Sequence, residues 1–545
     1  EAPASVRSTL RGRLVDVDGT STVRLGERAL GADLRADLAA GRIRRVTIIG
    51  QGTAAVAGEA VALSVAAEFT GSDMVTEARA ATELSGSGLR RDMSDTLVVA
   101  ISQSGTTTDT NRTVDLVRAR GASVLAIVNR RNSDLTDRAD GVFYTSDGRD
   151  VEMSVASTKA FYAQVVAGIL LAAALADAAG LPGADDRADL LDGLRCLPEA
   201  MVEVLALQEH IGNVADRYGP GRRHWAVVGT GANLIAAREI RIKLSELCYK
   251  SIAADATEDK KHIDLSAEPM VLVCATGMAG STADDVAKEV AIYRAHKAAP
   301  IVVTDADPDL GRFPDALDVV TVPRVHPRLA FVLSTMVGHL FGYEAARSID
   351  GQATPLREAH AAIERLAASG LTAGAAAGPV EELRLQLRPL ASRFSDELRS
   401  GRLNGNLEAS TAVRLAAQFR YATGDLPLES YQLEFGPVGT PALVLDDLAG
   451  ALTQAIEELT RPIDAIKHQA KTVTVGISRT DEMLLTAGLV REVLDAGAPR
   501  DSLSYRTLRL LADLDAAVAE VVGFTRYRVD GLDGSTPTVA IVDRG

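Results

Sequence analysis

Six short runs of consecutive apolar, largely β-branched residues punctuate the first 350 positions, and each stops at small or polar residues. Val46-Thr47-Ile48-Ile49-Gly50 runs into Gln51-Gly52-Thr53, Thr96–Ile101 into Ser102-Gln103-Ser104-Gly105-Thr106, and Val124–Val128 into Asn129. Farther on, Trp225-Ala226-Val227-Val228-Gly229 runs into Thr230-Gly231-Ala232, Val271–Ala275 into Thr276-Gly277-Met278-Ala279-Gly280-Ser281, and Ile301–Val303 into Thr304-Asp305. Runs that stay apolar rather than alternating predict strands buried on both faces. Helical stretches separate them, one of them over Thr110–Arg118, so the chain reads as βαβ units closing parallel sheets. The two sets of three follow the same order at a near-constant spacing. That predicts two repeated α/β lobes, each a doubly wound parallel sheet with helices on both faces. All α/β proteins share strand–glycine–helix grammar, which is the competing account; three matches in constant order favour the repeat.

Beyond Asp350 the pattern becomes helical. Pro379–Leu398, Ala409–Tyr421 and Asp446–Glu458 read as helices, with a Pro/Gly-rich turn at Gly436–Pro441 before the last. Residues 476–545 add two helical patterns, a turn at Gly531–Gly534 and a final strand-like run, Thr536–Asp543. The organisation expected is a linker over 1–40, α/β lobes over 41–205 and 206–354, a mostly helical insertion over 355–460 and a C-terminal segment over 461–545. The most apolar run, Val165–Ala176, is closed by Gln164 and Asp177. It is shorter than the roughly 20 residues of a membrane helix and reads as a buried core helix.

Composition narrows the function. A net charge of −15 gives no electrostatic footing for nucleic acid. Three widely spaced cysteines, Cys196, Cys248 and Cys274, form neither a disulfide framework nor a metal cluster, and histidine is scarce. A reducing, cytoplasmic setting is expected, with no metal, no cofactor and no membrane partner. The chain opens at Glu1 rather than Met and stops on an apolar run, a pattern expected of a piece of a longer polypeptide.

Candidate chemistry begins at Ser102-Gln103-Ser104-Gly105-Thr106-Thr107, between a buried strand and a helix. Ligands of doubly wound folds bind at the carboxyl ends of strands. Small hydroxyl residues and a glycine let the backbone approach a phosphate, and a helix N-terminus supplies free N–H donors. Ser and Thr are equally good helix caps, so composition alone leaves phosphate loop and capped helix open.

Ala100-Ile101-Ser102-Gln103-Ser104-Gly105-Thr106-Thr107, followed by Ala126-Ile127-Val128-Asn129 and Val155-Ala156-Ser157-Thr158-Lys159-Ala160-Phe161, resembles the SIS (sugar isomerase) half of the glutamine–fructose-6-phosphate aminotransferases. The resemblance extends over roughly residues 5–350 and implies tandem SIS domains. It implies that Thr53, Ser102, Gln103, Ser104 and Thr107 hold a sugar phosphate and that Val155 and Ser157 line the sugar site. Where the family has Cys-Gly-Thr-Ser, this chain has Gln51-Gly52-Thr53-Ala54, so a hydroxyl expected at Ala54 is missing.

Lys243-Leu244-Ser245-Glu246-Leu247-Cys248-Tyr249 lies on a predicted helix, with Lys243 and Glu246 on one face. Taken alone, that spacing is most often a solvent-exposed ion pair. The family has Lys-Leu-Lys-Glu-Ile-Ser-Tyr here and Leu-Lys-His-Gly-Pro after a fixed interval. The resemblance therefore implies that Glu246 is an isomerisation base, Lys243 a substrate-site lysine and His262 the ring-opening histidine. It also implies a homodimer or higher homo-oligomer in which His262 serves the neighbouring subunit. The stretch before the histidine has become Glu258-Asp259-Lys260-Lys261, which predicts a loop of different shape and charge. The family closes on Asn-Leu-Ala-Lys-Ser-Val-Thr, whose lysine forms a Schiff base. Gln469-Ala470-Lys471-Thr472-Val473-Thr474-Val475 resembles it, which makes Lys471 the expected Schiff-base lysine and Ala470 its neighbour, in a tail at 468–475 displaced by the insertion.

The function expected is conversion of fructose-6-phosphate, or a close relative, to glucosamine-6-phosphate or an aldose phosphate. Ammonia would come from a glutaminase domain or subunit not in this chain, whose first cysteine is Cys196; Ala2–Gly12 resembles the segment just after such a domain. The alternative is a sugar-phosphate sensor without turnover, which needs the Ser102–Thr107 loop but neither Glu246 nor His262.

Overall fold

The computed structural model describes residues 1–148, 157–263, 265–307, 311–368, 377–463, 482–498, 503, 505–530 and 538–545. Each of the six apolar runs is a strand buried along nearly its whole length, as runs without polar alternation require. They form the middles of two five-stranded parallel sheets of identical topology. In the first, the order is Val75–Ala80, Arg45–Gly50, Thr96–Ser102, Ser123–Val128, Gly141–Tyr144. In the second it is Ile252–Ala256, Trp225–Gly229, Met270–Cys274, Ala299–Thr304, Asp318–Thr321. In both, the first strand sits second in the sheet, so the chain reverses direction between it and its inner neighbour. That reversal opens a crevice at the carboxyl ends of the strands.

The repeat extends to the backbone. Gly52 and Gly231 adopt φ/ψ of 55°/−128° and 60°/−128° at the starts of helices Thr53–Glu68 and Ala232–Cys248. A side chain is strained in that region. Each of these helices packs against a long apolar helix of its own lobe, Lys159–Ala178 and Ala330–Gly351 respectively. A Cβ at Gly168 would stand 2.1 Å from Val61 Cγ2, and one at Gly338 would stand 2.3 Å from Ile240 Cγ1. The missing side chains thus set the close approach in both lobes. The two lobes share one hydrophobic core, and helices Thr53–Glu68 and Ala232–Cys248 touch across their interface.

Lys159–Ala178 and the helical stretch 327–368 are long and apolar enough to cross a membrane, but 94% and 83% of their apolar 18-residue windows are buried inside the protein. The core-helix reading of Val165–Ala176 holds, within a longer helix. Residues 1–40, read as a linker, are structured. Helix Ala2–Leu10 packs on Lys159–Ala178, and strands Leu14–Val17 and Thr20–Val23 pair antiparallel.

Helices Thr354–Ala368, Ala377–Arg399, Ala409–Ala422 and Pro441–Leu459 enclose a separate hydrophobic core. The chain leaves the second lobe and returns to it at one place. The Arg461 backbone N–H donates to Asp350 Oδ1 (3.0 Å), and its side-chain Nε donates to the Cys248 carbonyl (3.0 Å). Farther on lie helices Glu482–Leu485, Gly488–Asp495 and Tyr505–Asp515 and an antiparallel strand pair, Thr525–Asp530 with Thr538–Arg544.

Candidate active site

The crevice of the first lobe is a cavity of about 240 Å³ lined by Gln51, Thr53, Ala54, Ile101, Ser102, Gln103, Ser104, Thr107, Ser157, Gln164, Lys243 and Glu246. Two helix N-termini meet it, those of Thr53–Glu68 and Thr108–Arg118, and neither is capped by a side chain. The capped-helix alternative for the serine–threonine loop therefore fails. Thr107 sits at the N-cap position without bonding the helix amides, which leaves them for an anion. Inside the loop, Ser102 Oγ accepts from the Gly105 N–H (3.0 Å) and lies 3.3 Å from Thr107 Oγ1. Ser104 Oγ accepts from the Thr106 N–H (3.2 Å) and hydroxyl (3.0 Å). Gly105 carries φ +66°, and its carbonyl accepts from Asn111 Nδ2 and from the Leu135 N–H.

Across the cavity, the second lobe contributes helix Ala232–Cys248. Lys243 is 1% exposed while Glu246 keeps 42% of its side chain in solvent, so the pair is anchored in the interior at its lysine end. Its Nζ donates to Thr53 Oγ1 (2.7 Å) and lies 3.4 Å from both Glu246 Oε2 and Glu239 Oε1. Thr53 thus joins the first lobe's helix N-terminus to the second lobe's charged residues. Burial raises the Glu246 carboxyl above the usual carboxylate range, and the neighbouring Lys243 ammonium only partly opposes this. A carboxyl so placed gives up its proton closer to neutrality, as a general base requires.

Thr53, Ser102, Gln103, Ser104, Thr107, Ser157, Lys243 and Glu246 thus come together in one cavity. Ala54 also lines it, where the family resemblance leads one to expect a hydroxyl. His262 does not join them within this chain. It is exposed on the short helix Lys260–Ile263, beside Lys261, which pairs with Glu289 at 2.6 Å. Val155, Ala470 and Lys471 lie outside the described residues. Gln164, Glu239, His339 and Tyr162 escaped the sequence reading. Gln164 lines the cavity, and Glu239 and His339 lie behind Lys243 at the lobe interface.

The second lobe is built differently. A cavity of about 500 Å³ beside strand Ile252–Ala256 is lined by Glu258, Asp259, Asp285 and Glu289 alongside Lys288. The Gly277 N–H, equivalent to that of Gly105, is taken by Asp305 Oδ1 at 2.8 Å. A carboxylate thus takes the loop N–H that a neutral hydroxyl, Ser102, takes in the first lobe.

Comparison with known proteins agrees with this architecture. The chain is 33% identical over 362 residues to the glutamine–fructose-6-phosphate aminotransferase [isomerizing] of Thermus thermophilus, spanning 64% of this chain and 54% of that one. It is 32% identical over 359 residues to the enzyme of the same name from Corynebacterium glutamicum, with the same coverage. The match therefore spans about half the length of these relatives. The C-terminal domain of glucosamine-fructose-6-phosphate aminotransferase from Francisella tularensis shares the fold, with a TM-score of 0.56 and 24% identity over 64% of this chain and 93% of that one. The SIS domain family matches residues 42–174, so the chain carries a SIS domain in its first lobe, within a two-lobed unit similar to the SIS half of the glutamine–fructose-6-phosphate aminotransferases.

Proposed function

We propose that this protein is a sugar-phosphate isomerase that converts fructose-6-phosphate, or a close relative, to an aldose phosphate and, given ammonia, to glucosamine-6-phosphate. One observation carries the reading: Lys243 and Glu246 of the second lobe face the uncapped hydroxyl loop of the first lobe across a single cavity. The phosphate sits against Ser102, Gln103, Ser104 and Thr107, where helix amides meet it. Glu246 takes the proton from C1, leaving an enediol, and returns it to C2. Lys243, pinned by Thr53, places positive charge beside the oxygen on which negative charge develops. Ser157 and Val155 flank the sugar.

The amination branch rests on Lys471 as a Schiff-base lysine beside Ala470. Its support is the return point of the chain. Arg461 is held at Cys248, two residues from Glu246, and ten residues of chain reach at most about 35 Å. Ammonia then comes from a glutaminase domain or subunit outside this chain. His262 is the ring-opening histidine of a neighbouring subunit in a homodimer or higher homo-oligomer, in keeping with its exposure.

The test is incubation with fructose-6-phosphate in deuterated water, with and without ammonium, followed by mass spectrometry of the products. Deuterium at C2 of an aldose phosphate is expected, together with amino sugar in the ammonium arm and a borohydride-trapped adduct that Lys471→Ala abolishes. Binding of the ketose phosphate with no exchange at C1 or C2 would overturn the enzyme reading in favour of a sensor. Ala54 at the cavity wall is the observation that favours this second reading.

A further inference from the structure

Behind Lys243 the lobe interface holds a chain of polar groups that the proposed chemistry does not use. Glu239 lies one helical turn before Lys243, and its side chain is fully buried. Three polar atoms surround its Oε1 at 3.4 Å: Lys243 Nζ, Thr53 Oγ1, which donates to it, and His339 Nε2. Its Oε2 and the His339 Nε2 have no hydrogen-bond partner among the described residues, so each is a buried polar atom awaiting one. His339 comes from helix Ala330–Gly351, and its Nδ1 lies 2.7 Å from the hydroxyl of Tyr162 on helix Lys159–Ala178. Phe161 meets both rings edge-on. The groups facing the histidine are thus Tyr162 from the first lobe, Glu239 and, beyond it, Lys243 from the neighbouring helix, and the apolar ring of Phe161.

Resting on the function proposed above, we propose that Tyr162 and His339 are positioning residues for Lys243: Tyr162 donates to His339 Nδ1, the ring's Nε2–H then holds Glu239, and Glu239 holds the lysine at the cavity wall. The direction of each bond follows from the chemistry. Burial lifts the Tyr162 hydroxyl well above its ordinary range, so it remains a phenol with a proton to give. Burial also lowers His339, so the ring is neutral, with one N–H and one lone pair. With Nδ1 accepting from tyrosine, the N–H is on Nε2 and points at a carboxylate. The opposite tautomer sets a lone pair against Glu239. At 3.4 Å the Nε2–Glu239 contact is at the outer edge of hydrogen bonding, a slack that catalytic sites commonly lose when substrate closes them. Gly338 makes the arrangement reachable: without a Cβ there, helix Ala330–Gly351 comes close enough to Ile240 for His339 to meet Glu239.

The experiment uses the full chain labelled with ¹⁵N-histidine, in wild type, Tyr162→Phe and His339→Gln. The protein has eight histidines, and the His339 signal is assigned by its loss in His339→Gln. A neutral ring protonated at Nε2 is expected in wild type, and Tyr162→Phe, which removes a single hydroxyl, is expected to populate the Nδ1–H form. In turnover of fructose-6-phosphate, both variants should lose kcat by about 10- to 100-fold, the range found for the outer partners that orient metal-ligating histidines. KM should stay within about two-fold, because the phosphate loop is untouched. A wild-type ring protonated at Nδ1 overturns the proposal, as does a Tyr162→Phe variant whose tautomer and kcat both match wild type. A variant that loses KM and thermal stability in step with kcat assigns the tyrosine a packing role and overturns it too. If the wild-type chain turns over no sugar phosphate, the isomerase reading fails, and the tautomer alone then decides the relay.

Discussion

Replacing Lys243 by Met, which keeps length and removes charge, should destabilise the protein far more than a typical lysine substitution. The lysine is 1% exposed, and the Glu239 side chain is fully buried beside it. Removing the ammonium leaves a buried carboxylate facing only Thr53 and His339, and breaking such a pair from one side costs about 3–5 kcal/mol. Glu246, the lysine's other partner, keeps 42% of its side chain in solvent, so it adds little to this cost. In a lobe of this size the loss corresponds to a melting shift of roughly 6–20 °C. Glu239→Gln keeps the shape and removes the charge, so the double variant Lys243→Met/Glu239→Gln should regain much of the loss, with a coupling energy above about 2 kcal/mol. The assay is urea unfolding followed by the fluorescence of Trp225, the chain's single tryptophan, which is buried in the second sheet. A Lys243→Met variant within about 1 kcal/mol of wild type, or strictly additive single effects, would refute the reasoning.

Because burial raises the Glu246 carboxyl, the acid limb of the pH–rate profile should lie above the usual carboxylate range. The folded state binds that proton more tightly than the unfolded state, so the stability it contributes is complete below the unfolded value and lost as pH rises through the folded one. Glu246→Gln should therefore abolish isomerisation and the acid limb while leaving the protein no less stable at neutral pH; a less stable variant would refute this. Gly105→Ala should abolish binding of fructose-6-phosphate measured by calorimetry, since φ is +66° and the new Cβ would lie 2.0 Å from Ser133 Oγ. Its overpacking should cost about 1–3 kcal/mol. Mixing inactive Glu246→Gln and His262→Ala chains should restore about a quarter of wild-type activity if sites are shared across a two-fold interface, and none if each chain works alone.

The central strands and the helices after residue 376 were legible because their signals are local. A strand covered on both faces must be apolar throughout, and the C-terminal helices carry an amphipathic period. Edge strands such as Val75–Ala80, half-exposed and carrying Glu77 and Arg79, offer no such run and went unread. Helix Thr354–Ala368 was missed where the insertion was taken to begin. In the site, Lys243, Glu246 and the serine loop were legible because each belongs to a contiguous motif. Tyr162 and His339 were not, because they meet across 177 residues of sequence. A signal existed: His339 is the one histidine of helix Ala330–Gly351 and closes its apolar first half, and such a histidine, once buried, needs partners. Glu239 could have been found four residues before Lys243, on the same helical face.

The two lobes differ in chemistry while sharing a backbone, and this explains why the cavity of interest lies in only one of them. Both place a glycine of positive φ after the third strand of the sheet, Gly105 at +66° and Gly277 at +67°, and in both its N–H donates to a side-chain oxygen. In the first lobe that N–H is met by Ser102, a neutral hydroxyl within the loop, which adds no charge to the crevice. In the second it is met by the carboxylate of Asp305, which places a negative charge at that loop. Under the proposed function, an anionic ligand meets a neutral hydroxyl at the first loop and would meet a carboxylate at the second. The second lobe commits its helix Ala232–Cys248 to the interface. There Glu239 and Lys243 are buried, and Thr53, at the start of the first lobe's helix, receives the lysine. Repetition of the fold supplies the frame, and through Lys243 and Glu246 the second copy serves as a wall of the first copy's cavity.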